Sequence, residues 1–154
     1  ENIGDDDDNN NSSNNERIVT GTIDTAGSIV LLLQAALPCA LLTPTIHAGK
    51  TKKTTKLVLK GGTNASMAPQ YDYWEKVFLP MAQKCFRWPD DLIQATVLKR
   101  GYFPKGGGHV EVDVPSLGAQ NMLPLPSFQL TERGTVQHIY IRSFHAGKLP
   151  RHLA

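Results

Sequence analysis

A chain of 154 residues, 40% hydrophobic and 19% charged, has the size and balance of one globular domain and can bury a core. Its net charge of +2 does not by itself point to nucleic acid, which calls for Lys and Arg clustered on one face. Cys39 and Cys85 make neither a disulfide framework nor a zinc site, and Ile29–Leu42, broken by Gln34 and Pro38, is shorter than the roughly 18 residues that span a bilayer. The start, Glu1-Asn2-Ile3-Gly4, lacks the basic residues and apolar run of a signal peptide, and the missing Met points to a chain cut from something longer.

Residues 1–15, ENIGDDDDNNNSSNN, are polar and of low complexity, too poor in apolar surface to offset the entropy of ordering; they are predicted to be disordered. With Asp5–Asp8 set aside, the remainder is more basic than the whole. Order is expected from Glu16. Arg17–Ile23 has the β-branched content of a strand. Thr25 is placed to cap a helix from Ala26 to about Leu42, apolar almost all round and so expected to be covered on most sides. Inside it, Pro38 has no N–H for the Gln34 carbonyl, which predicts a bend. Cys39 here and Cys85 in the next helix read as buried, reduced thiols.

His47–Lys56 reads as a polar loop, and Leu57–Leu59 as a short buried strand ending in Gly61-Gly62. A second helix is predicted from about Gln70 to Phe86, with Trp74, Val77, Phe78, Met81 and Cys85 on its buried face. Ala95–Lys99 and His109–Val114 read as strands joined by RGYFPKGGG. In the latter, Val110, Val112 and Val114 alternate with Glu111 and Asp113, as a half-exposed strand should. Pro115–Pro126 reads as a loop, Thr135–Ser143 as a further strand and Leu149–Ala154 as the start of a helix. The order makes one full βαβαββ unit plus the start of another, an α+β architecture with helices packed on one face of a small sheet.

Three segments carry residues suited to chemistry. In residues 22–42, TIDTAGSIVLLLQAALPCALL, Gln34 is the only amide or charged side chain between Ile29 and Leu42. It suits a helix edge facing water, or an amide held in an apolar wall to read the edge of a base or ribose. In residues 59–73, LKGGTNASMAPQYDY, a strand runs through Gly61-Gly62, Thr63, Asn64 and Ser66 into a helix. That is a cradle for an anion or an ordinary turn and cap, and it lacks the P-loop and dinucleotide patterns. Pro69 and Tyr73, four residues apart, can both offer flat apolar surface to a base. In residues 100–110, RGYFPKGGGHV, Arg100 and Lys105 can hold phosphate and Tyr102 or Phe103 can stack a base, unless the segment is only a turn. The five histidines show no metal-ligand spacing, and no nucleophilic triad or carboxylate pair is visible.

These three segments occur together, in this order, in RNA 3'-terminal phosphate cyclases. RGYFPKGGGHV resembles that family's pattern of Arg or His, Gly, two residues, Pro, one residue and three Gly. TAGSI with LLLQAALP, and GGTNASMAP with DY, are similar to its other marked blocks; LTERG and AGKLPRHLA fit further on. The resemblance covers about Arg17–Ala154. It implies repeated βαβαββ units, as in enolpyruvyl transferases, with residues 16–154 forming part of a large domain. It also implies a reaction in three steps. A histidine attacks the α-phosphate of ATP, assisted by Mg2+ or another divalent metal. AMP then passes to an RNA 3'-phosphate, and the neighbouring 2'-oxygen displaces AMP to leave a 2',3'-cyclic phosphate.

Carried over by motif, Gln34 contacts the nucleotide and Pro69 with Tyr73 flanks the adenine, the three converging on a purine-sized slot between neighbouring helices. Arg100 and Lys105 are placed as contacts to phosphate or RNA. The family's nucleophilic histidine belongs to a C-terminal block that this chain does not reach; His152 matches a different block. No catalytic residue is therefore assigned, and the chain alone is expected to be inactive. The implied partners are ATP and RNA 3'-phosphate ends, with no membrane, inside the cell and in the nucleus. A non-catalytic, cyclase-like ribosome-biogenesis factor acting in pre-rRNA processing shares the fold and the triple-glycine hairpin, but the TAGS and GGTNASMAP blocks here resemble the enzyme's. An enolpyruvyl transferase would need anion-binding Lys and Arg sets that are not found.

Overall fold

The computed structural model describes residues 16–43, 46–47, 50–51, 54–118, 120–145, 150 and 152. In chain order its elements are β1 (Glu16–Thr22), α1 (Ile29–Leu42), β2 (Ile46–His47), β3 (Lys50–Thr51), β4 (Thr54–Gly61), α2 (Tyr71–Tyr73), a π-helical turn (Trp74–Phe78), α3 (Leu79–Phe86), β5 (Gln94–Lys99) and β6 (Gly108–Pro115). Four strands form one sheet in the order β1–β4–β6–β5, while β2 and β3 pair separately. β1 is parallel to β4, and β6 is antiparallel to both β4 and β5. It follows that β1, β4 and β5 all run the same way, and their carboxyl ends share one edge of the sheet.

Strand periodicity builds the core. Leu57 and Leu59 of β4 face the same side as Val110, Val112 and Val114 of β6, all of them buried. Ile29, Val30, Leu33, Leu37, Ala40 and Leu41 of α1 close over that side, at the i, i+3, i+4 spacing of one helix face. The opposite sheet face carries charge, with Lys56 Nζ 3.3 Å from Asp113 and 3.8 Å from Glu111. The α+β class thus matches the sequence reading, and β1, α1, β4, the second helix, β5 and β6 follow in the expected order; among the described residues the start of a second unit does not appear. No described helix is long and apolar enough to cross a membrane.

Several expectations are corrected. The cap of α1 is Ser28, not Thr25: its Oγ accepts from Leu31 N at 3.4 Å. Gly62 is the reason, because its N donates to Gly27 O at 2.7 Å and its O accepts from Ile29 N at 3.0 Å, which holds Ser28 extended just before the helix. α1 is covered on one side only. Leu31, Gln34, Ala35, Pro38, Cys39 and Leu42 form an exposed stripe, so Cys39 is an exposed thiol and Cys85 a half-buried one. Thr54–Lys56 belong to β4 rather than to a loop, and Ile46–His47 pairs with Lys50–Thr51.

The second helix begins where expected, but its face is shifted. Tyr71, Trp74, Leu79 and Gln83 are buried, whereas Val77, Phe78 and Met81 are exposed. The π-helical turn adds a residue between Trp74 and Leu79, so the buried positions there lie five apart and a strict 3.6-residue pattern picks the wrong ones. Arg87, in the left-handed conformation at φ 56°, ends this helix as Trp88 N reaches back to Gln83 O at 2.9 Å. Thr135–Ser143 is not a strand; described residues from 125 to 145 hold neither helix nor strand. The disorder expected of residues 1–15 and most of the helix expected over residues 149–154 lie outside the described residues.

Candidate functional site

Loops leaving the shared edge bring the three segments together. Ile23–Ser28 follows β1, Gly62–Gln70 follows β4, and Arg100–Gly107 follows β5. They are stitched together mainly through backbone groups. Besides the Gly27–Gly62 bond, Thr63 N donates to Gly101 O at 2.9 Å, and Gly101 N donates to Thr63 Oγ1 at 3.1 Å. Thr63 is fully buried, and its carbonyl accepts from Tyr71 N at 2.9 Å, which starts α2. The glycines serve this stitching. A Cβ on Gly62 would stand 2.4 Å from Ala26 O, and one on Gly101 would stand 2.3 Å from Gly108 N.

The anion cradle read from GGTNAS therefore takes a different form. The Gly62 amide and the Thr63 hydroxyl are spent on neighbouring loops, and Asn64 Nδ2 lies 3.2 Å from Gln70 Oε1. Ser66 alone of the three polar side chains in that segment stays exposed.

Gln34, Pro69 and Tyr73 do converge. With Val30, Trp74 and Phe78 they line one cleft between α1 and the start of α2. Gln34 and Tyr73 are exposed at its rim, so the amide has both an apolar wall and open solvent. The cleft is small, about 40 Å³, against roughly 300–1,000 Å³ for small-molecule pockets. It is not a purine-sized slot. A flat ring would lie across its mouth against Tyr73 and Pro69 rather than enter it.

Arg100 turns inward. Its Nη2 lies 2.8 Å from Asp72 Oδ1, and Nη1 bonds the other carboxylate oxygen. The guanidinium also sits over the Tyr71 ring at 5.9 Å and the Phe144 ring at 6.0 Å. This hydrogen bond from Arg100 holds the Asp72 carboxyl below the usual carboxylate range, and the same bond raises Arg100. Burial pushes the Tyr71 hydroxyl well up, and among the described residues that hydroxyl has no hydrogen-bond partner. A phosphate would have to share Arg100 with Asp72. Lys105, by contrast, is exposed at the tip of its loop.

Sequence reading missed a second, larger cleft of about 520 Å³ on the same loops. Thr25, Ser28, Leu31, Ser66, Met67 and Phe103 line it, with the small residues between them. The signal available was topological: ligands of open parallel sheets sit at the carboxyl ends of strands, where these three loops emerge. The Asp72–Arg100 pair, 28 positions apart, left no local trace. Among the described residues no three His, Cys, Asp or Glu side chains gather to hold a metal ion. What the arrangement offers is binding: one amide, flat apolar faces and a partly neutralised arginine.

A sequence model described as RNA 3'-terminal phosphate cyclase matches residues 11–140. The chain is 36% identical over 131 residues to a Dictyostelium discoideum protein named "Probable RNA 3'-terminal phosphate cyclase", covering 82% of this chain and 26% of that protein. It is 38% identical over 133 residues to the RNA 3'-terminal phosphate cyclase of Methanococcoides burtonii, covering 86% of this chain and 34% of that one. With the Drosophila melanogaster protein named "RNA 3'-terminal phosphate cyclase" the identity is 34% over 130 residues, 84% of this chain and 31% of that one. The chain thus spans about a quarter to a third of the length of the curated relatives it matches.

Proposed function

The chain belongs to the RNA 3'-terminal phosphate cyclase family, and from that premise we propose that it forms part of an enzyme converting an RNA 3'-phosphate to a 2',3'-cyclic phosphate with ATP, through enzyme-AMP and RNA-adenylate intermediates. Residues 16–154 would be one portion of the enzyme's large domain. The need for ATP is chemical: a phosphate monoester is a poor electrophile until adenylation supplies a leaving group. As an enzyme of RNA ends, the protein would work inside the cell, in the nucleus.

The observation that carries this reading is the convergence of Gln34, Pro69 and Tyr73 on one cleft from positions far apart in the chain. Gln34 brings a donor and an acceptor to the edge of a base or ribose. Tyr73 and Pro69 bring flat apolar contact to the face of an adenine, with Trp74 and Phe78 behind them. No nucleophile is assigned among the described residues. A divalent ion such as Mg2+ would be held by the nucleotide's phosphates and by groups outside these residues, since no three potential ligands gather here. The contribution of this chain is to orient the nucleotide.

The test is calorimetric titration of the chain with ATP and Mg2+. Gln34→Ala and Tyr73→Ala should each weaken binding about tenfold, the order of one lost hydrogen-bonded or stacked contact. Unchanged affinity in both would remove the nucleotide site. Incubation with α-labelled ATP should leave no covalent adenylate on the chain; a stable adduct would show that a nucleophile is present after all.

A further inference from the structure

We propose that the larger cleft at the carboxyl edge of the sheet holds an unpaired base next to the RNA 3' end, stacked on Phe103, while Lys105 meets the adjoining phosphate. This rests on the RNA-end reading above and names the surface that would take the RNA strand.

Four features point the same way. At about 520 Å³ the cleft has room for a nucleotide, which the Gln34 cleft does not. Its rim carries two large side chains kept out of the core: Phe103 is 78% exposed and Met67 is 104% exposed. Met67 takes the left-handed conformation at φ 58°, which a side chain of this size rarely adopts, and its side chain stands fully in solvent. An exposed ring beside an adaptable thioether suits a base face, which is flat and nearly indifferent to sequence.

The polar groups suit the same ligand. Thr25 and Ser66, both exposed, border the cleft, and the lining contains no acidic side chain; Asp24 precedes Thr25 in the chain. Lys105 follows Phe103 by two residues and is exposed, so a cation and a stacking ring sit on one loop. Tyr102 is not the stacking ring: it is half-buried, its carbonyl bonded to Gly106 N at 2.8 Å.

Placement supplies the last argument. Leu31 lines this cleft and Gln34 lines the other, both on the exposed stripe of α1. Residues three apart on a helix are neighbours, with about 5–6 Å between Cβ atoms. Two ligands that must exchange a nucleotidyl group would therefore lie side by side along one helix. A splayed, single-stranded base fits an open cleft with one ring, as a stacked duplex does not.

The probe is a short single-stranded RNA with a 3'-phosphate and a 5'-fluorophore, titrated with this chain by anisotropy at low salt. Matched oligonucleotides carry an abasic site at the last or the penultimate nucleotide. Phe103→Ala should weaken binding about tenfold, and Phe103→Trp should keep it. One abasic position should cost the unaltered chain a similar factor and cost Phe103→Ala little, because the partner ring is already gone. Equal abasic penalties in both proteins, or unchanged affinity of Phe103→Ala, would overturn the base site and leave the RNA-end reading standing. No measurable RNA binding by the unaltered chain would sink both. Thermal melting of the two variants, expected to match the parent because the ring is exposed, separates contact from misfolding.

Discussion

Residues 108–115 and 135–143 are built from the same material and end in opposite states. Val110, Val112 and Val114 of β6 are wholly buried, between β4 and β5. Val136, Ile139, Tyr140 and Ile141 are 66%, 80%, 90% and 88% exposed, and among the described residues no ladder includes them. Both stretches are rich in β-branched and aromatic residues, so local preference does not separate them. Pairing does. A strand's N–H and C=O groups need partners on both sides or water, and only β6 finds two neighbouring strands. Residues flanking the second stretch do touch the rest of the fold, where Phe128 packs edge-on to Phe86 of α3 at 5.2 Å and Phe144 lies under Arg100, just after β5.

The contrast can be broken most forcefully at glycines. Gly62→Ala or Gly101→Ala, each driving a Cβ to within 2.4 Å of another loop's backbone or of Gly108, should lower unfolding free energy by about 3 kcal/mol or more. Gly134→Ala has positive φ but nothing within 4 Å; it should change the urea midpoint far less. Equal effects would mean that residues 125–145 are as firmly held as the sheet. Next in size is a hydroxyl placed in each region. Val112→Thr should cost about 1–3 kcal/mol for a buried unpaired group, whereas Ile139→Thr should stay within about 0.5 kcal/mol.

A smaller effect sharpens the comparison where the regions meet. Asp72→Asn loses the charge-assisted pair with Arg100, for about 1 kcal/mol given its partial exposure. Because the folded state holds the Asp72 carboxyl low, the advantage over Asp72→Asn is full above about pH 4. It is lost as the pH falls through the lower folded-state value. Melting temperature against pH for the two proteins should converge in acid; parallel curves would show that the pair carries no linked proton. Smallest, and of opposite sign, Tyr71→Phe removes a buried hydroxyl without a partner among the described residues and should be neutral or stabilise by up to about 1 kcal/mol.

Much of this was legible along the chain. The alternation in β6, the Gly61-Gly62 end of β4 and the start of the second helix follow from short-range pattern. The grouping of Gln34, Pro69 and Tyr73 was legible too, because the resemblance to a family links positions that no period connects. Less so were the face of that second helix, since one π-helical turn moves every later side chain around the axis. The partner of Arg100 was also hidden, because a carboxylate in another element is chosen by distance in space rather than in sequence.

By itself, then, the order of amino acids determined which stretches could be helix or strand, which face of β6 was apolar, and which family the three glycine-bearing segments resemble. Those are local or statistical properties, set by side-chain shape and spacing. Only the tertiary structure decided that Thr135–Ser143 joins no strand ladder among the described residues, that the glycines stitch loop to loop, and that a cleft opens beside Phe103. Each depends on what lies across a gap of a few ångströms, and a backbone hydrogen bond or a steric contact has no counterpart in the linear spacing of residues.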